Sequence, residues 1–104
     1  MINEKLALLV NEELEREVVG SLLCYPKLYE ECNLSHQDIH NEYYRNILSV
    51  MEFLNKKNET IDVMSIVDVA SRTGKIEKIG GIKLLTEMSG EQFTPSSFAK
   101  NQKI

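Results

Sequence analysis

The sequence lacks an apolar run long enough to span a membrane. Its short apolar stretch, residues 6–10, follows Glu4 and Lys5 and runs straight into the acidic residues 11–17, so nothing there resembles a signal peptide. Cysteine is scarce: Cys24 and Cys32 fall in segments that read as helical, and nothing points to an exported, disulfide-stapled scaffold. Reduced thiols in a cytoplasmic protein are the expectation. Positive charge is also limited, with 12 Lys and Arg against 16 Asp and Glu and a formal net charge of −4. The cations are scattered, which argues against strong direct binding of nucleic acid. Lys75, Lys78 and Lys83 lie closest to one another in sequence, but Glu77 and Glu87 interleave with them, and the set reads as a mixed, solvated face.

Catalytic motifs are absent as well. His36 and His40 have the four-residue spacing that can place two imidazoles on one helical face, with Cys32, Asp38 and Glu42 nearby. No glutamate follows the first histidine and no regular helix is assured across both, so polar turn residues are the better reading than a metal site. Cys24 and Cys32 lack the close spacing of a redox motif, and neither histidine adjoins a nucleophile motif. Gly80 and Gly81 lack the glycine spacing and terminal Lys-Ser or Lys-Thr of a nucleotide loop. The acid pairs Glu12 with Glu13, Glu15 with Glu17 and Glu30 with Glu31 read as charges on exposed helical faces. The chain is expected to hold no catalytic residue, metal or cofactor.

What is present is helical periodicity. At 104 residues and 42% apolar content the chain suits one hydrophobic core, and no segment alternates as a strand would. The pattern predicts an all-α protein, a compact orthogonal bundle of about five to six helices. Residues 1–10 form an N-terminal arm, 11–90 the helical domain, and 91–104 the start of a following helix or hairpin that is cut short. The first helix spans 11–24 with Leu14, Val18, Val19, Leu22, Leu23 and Cys24 as its apolar stripe. Gly20 within it suggests a close helix contact. Tyr25 and Pro26 end that helix, and a short one covers 27–32. A cap and tight turn at 35–39 lead into the longest helix, 41–57, whose inward face is Tyr44, Ile47, Leu48, Met51 and Leu54. Asp62 can cap the next helix by accepting from Met64 or Ser65, with Val63, Ile66, Val67 and Ala70 inward. Gly74 can close it in the left-handed conformation. Gly80 and Gly81 then open a last helix with Ile82, Leu84, Leu85 and Met88.

Four aromatics, Tyr25, Tyr29, Phe93 and Phe98, lie near predicted helix ends. Tyr29 is expected to cover the core, while Tyr25, Phe93 and Phe98 are candidate anchors for a partner chain.

The order of these features resembles the helical head of the N-terminal domain of bacterial or phage replicative DNA helicases of the DnaB type. Glu13, Glu15, Val18, Val19, Gly20, Leu22 and Leu23 resemble that family's opening helix, and Asp38 with Ile39 its Asp-Phe turn. Tyr44, Arg45, Ile47 and Leu48 resemble its next helix, and Ile61 with Asp62 its Ile-Asp cap. Gly74, Ile76, Ile79, Gly80, Gly81 and Leu85 match its glycine, apolar, Ile-Gly-Gly and leucine pattern. Departures include Tyr44 where a histidine is frequent, Ile39 for an aromatic, Asn58 for a glycine and Thr60 for a proline. The resemblance implies a non-catalytic domain that self-associates, as a dimer or part of a hexameric collar, and offers surface to primase or a helicase loader. ATP and Mg²⁺ would be used only by a separate motor domain. A free-standing regulator of such a helicase, or the helicase-binding domain of a primase, is the alternative.

Overall fold

The computed structural model describes the backbone of residues 4–91 and the side chains of residues 12–91. The described residues form four α-helices, α1 (Glu4–Cys24), α2 (Glu42–Lys56), α3 (Val63–Arg72) and α4 (Gly81–Ser89), with 3-10 turns at Pro26–Glu31, His36–Asp38 and Glu77–Ile79. The described residues contain no strand, and no helix among them is long and apolar enough to cross a membrane. The all-helical expectation therefore holds. The short helix expected at 27–32 is a 3-10 turn begun by Pro26, whose fixed φ and missing N–H suit a first helical position. Residues 4–10 continue α1 as helix, so its 21 residues reach about 30 Å.

Helix α2 is the central element, packed against α1, α3 and the 3-10 turns at His36–Asp38 and Glu77–Ile79. Its buried residues are Tyr44, Ile47, Leu48, Val50, Met51 and Leu54, the stripe that three-and-four spacing predicts with Val50 added. Val18, Val19, Leu22 and Leu23 of α1, Ile66, Val69 and Ala70 of α3, and Ile79, Leu85 and Met88 complete the core with Ile39 and Ile61. In α3 the inward face sits slightly off the expected one: Val69 is buried, while Val63 and Val67 are only partly so.

Caps and glycines set the corners. Asp62 accepts from Ser65 N–H at 2.7 Å, so the predicted cap closes on the second of its two expected partners. Ser35 and Asp38 form a reciprocal capping box around the His36–Asp38 turn. Gly74, Gly80 and Gly81 have φ of +68°, +82° and +75°, in the left-handed region that favours glycine. Asn58, standing where the resembled family has glycine, has φ +57°, a conformation that asparagine tolerates better than other side chains. Gly20 is buried about one turn before the end of α1.

Candidate functional site

The start of α2 is held from both sides. The Asn41 side chain accepts from Tyr43 N–H at 2.9 Å and Tyr44 N–H at 3.1 Å. The preceding N–H groups, of His40 and Asn41, donate to the two carboxylate oxygens of Glu15 at 2.6 and 2.9 Å. Glu15 is 1% exposed. This corrects the reading of the acid pairs as solvated charges: Glu15 is an internal cap that binds α1 to the entry of α2, where the helix dipole also favours a negative group. Its placement is legible in the sequence, because Glu15 precedes Val18, Val19 and Leu22 by three, four and seven residues and so lies on the buried stripe.

With the entry of α2 fixed, its two adjacent tyrosines divide. Tyr44 turns inward and its hydroxyl accepts from Arg16 Nη1 at 3.1 Å. Tyr43 stays 47% exposed and lines an open groove of about 480 Å³ with Glu77, Gly80, Gly81, Lys83, Leu84 and Glu87. Asn46 Nδ2 donates to Lys78 C=O at 2.9 Å and ties α2 to the turn that forms the groove's other wall. Gly80 lines the groove with φ +82°, and a Cβ there would lie 2.4 Å from Leu84 Cδ2. Ile82, on the outer side of α4, is 55% exposed. Near the far end of α2, Phe53 is exposed beneath the Lys57 ammonium, 4.6 Å from the ring centroid. It borders a smaller hollow of about 200 Å³ with Val69, Arg72 and Thr73. Met64 is a further exposed apolar side chain.

Of the predicted interface residues, Tyr25 is exposed at the junction of α1 and the Pro26–Glu31 turn, whereas Phe93 and Phe98 lie outside the described residues. Tyr29 packs against the core as expected. Sequence reasoning does not single out Tyr43, Phe53, Met64 and Ile82. Phe53 and Met64 lie in helical phase opposite the buried stripes, whereas Tyr43, four and seven residues before the buried Ile47 and Val50, is on the flank of its stripe. An isolated outward apolar residue is ordinary on a protein surface.

Among the described residues, reactive groups do not converge. His36 Nδ1 pairs with Glu52 Oε2 at 2.6 Å and the His36 backbone N–H donates to Glu52 Oε1 at 2.8 Å, while His40 is exposed. No group of His, Cys, Asp and Glu able to hold a metal ion occurs among the described residues. Burial pushes the Cys24 and Cys32 thiols up from their ordinary range, which disfavours the thiolate needed for nucleophilic or redox chemistry. The mixed face is as expected, with Lys75, Glu77, Lys78, Lys83 and Glu87 all exposed.

Residues 7–104 match the family of DnaB-like helicase N-terminal domains. A probable replicative DNA helicase of Trieres chinensis is 32% identical over 76 residues, covering 71% of this chain and 17% of that protein. A solved DnaB-like replicative helicase, described with its interactions with primase, superposes on 88% of this chain with a TM-score of 0.77 and 31% identity. The chain spans 22% of that structure's length.

Proposed function

The chain belongs to the family of DnaB-like helicase N-terminal domains, a non-catalytic part of replicative helicases, and from that premise we propose that it acts in DNA replication by self-associating and docking primase or a helicase loader. The observation that best supports the reading is the 31% identical helicase structure, which is described with its interactions with primase. The surface is suited to the task. Tyr25, Tyr43, Phe53, Met64 and Ile82 are exposed large apolar side chains, and aromatic residues are favoured anchors at protein interfaces. ATP and Mg²⁺ belong to the motor of a full-length helicase in this proposal, and none of the described residues is given a part in hydrolysis.

Sedimentation velocity across a concentration series, combined with capture of purified primase and loader, tests it. Self-association and retention of one of the two partners are expected. A chain that stays monomeric and retains neither would overturn the proposal. Replacing Tyr25 by Ser is expected to weaken partner capture with little change in stability, because its side chain is exposed and outside the core.

A further inference from the structure

Helix α4 carries its charges in the order that its own dipole disfavours. In α2, Glu42 stands in the first turn and Lys56 in the last, and α3 ends on Arg72, as the helix dipole favours. In α4 the first turn has no acid and the last turn no base; Lys83 stands in the first and Glu87 in the last. The two are one turn apart and exposed, yet they form no ion pair with each other, and lysine ahead of glutamate is the weaker order for such a pair. Neither is ion-paired to any other of the described residues.

Both side chains lie on the face of α4 that forms the open groove, with Leu84 between them and Tyr43 on the α2 side. Gly80 and Gly81 put no side chain over the N-terminal end of that groove. The face therefore has an apolar centre with a cation toward one end and an anion toward the other. Glu77, at the cation end, is followed by the exposed Lys78.

We propose that this face binds a second copy of the same chain across a two-fold axis, with the two α4 helices antiparallel. Lys83 and Glu87 stand two residues before and two after Leu85, so an axis level with Leu85 brings Lys83 of each copy to Glu87 of the other. Each Lys83 then lies beside the last turn of the second α4 and each Glu87 beside its first turn, so both meet the dipole end that favours them. Tyr43 and Leu84 of the two copies close the apolar centre. A partner of one charge sign would be repelled at one end of the face, whereas a second copy is complementary at both. The inference rests on the self-association proposed above and names the surface that carries it.

Sedimentation velocity of the full chain across a concentration series tests it, with Lys83→Glu and Glu87→Lys as the variants. Each alone sets like charges against each other across the axis and is expected to weaken self-association at least about tenfold, with the circular dichroism of the parent kept. An equimolar mixture of the two variants pairs opposite charges at both ends and is expected to return association to within about threefold of the parent. Single variants that associate as strongly as the parent, or a mixture no stronger than its components, would overturn this face and leave self-association to another surface. A parent chain that stays monomeric would overturn self-association itself, and this face with it.

Discussion

Glu15 shows how one buried charge can be structural. It accepts two backbone N–H groups that would otherwise be orphaned ahead of α2. Replacement by Ala leaves them unsatisfied beside the core and should cost about 2–4 kcal/mol, while Gln, which keeps one acceptor oxygen, should cost about half as much. Urea unfolding monitored by circular dichroism would separate the two, and an Ala variant as stable as the parent would contradict the capping role. The glycines offer a second contrast. Gly74 and Gly80 both have positive φ, but a Cβ at Gly74 meets nothing within 4 Å whereas at Gly80 it collides with Leu84. Gly74→Ala should therefore cost about 1 kcal/mol of backbone strain and Gly80→Ala more, as a side chain must also move. Sequence alone marks both as turn glycines. It cannot rank them, because the rank depends on how Leu84 is placed in three dimensions.

Among the elements, legibility tracks the strength of the pattern. Helix α2 can be read nearly to the residue because its stripe is long and its cap, Asn41, is polar. The continuation of α1 through residues 4–10 is not legible, since the run at 6–10 has no polar face to mark helical phase. The turn at Pro26–Glu31 can be placed, but six residues give too little periodicity to tell a 3-10 from an α-helix. That turn carries Tyr29, whose phenol is pushed up to about 12, chiefly by burial and then by the Glu52 and Cys32 charges. Because its folded value exceeds the unfolded value of about 10, its contribution is complete below pH 10 and is lost as pH rises through 12. Stability should fall between those limits, and Tyr29→Phe should flatten that part of the profile in denaturant unfolding at stepped pH. An identical alkaline profile in the variant would assign the loss elsewhere.

For the whole molecule, the order of short motifs is enough to identify the fold family, because helix caps, turn glycines and core stripes are local features that must recur in sequence to rebuild the same packing. The surface is different. Tyr43 and Gly80, on the other side of the groove, are nearly forty residues apart and meet through the packing of α2 against its neighbours, with Asn46 and Glu15 tying it in place. No local pattern announces that meeting. It also makes the groove separable from the fold: Tyr43 is outside the core, so Tyr43→Ser should shift unfolding by no more than about 1 kcal/mol. If this face mediates self-association, the same variant should move the sedimentation coefficient toward that of a monomer, whereas Phe53→Ser, ten residues along α2, should not. Loss of assembly in the Phe53 variant alone would move the contact to the smaller hollow beside Lys57 and Arg72, because a residue that neither packs the core nor caps a helix can affect assembly only through the surface it presents.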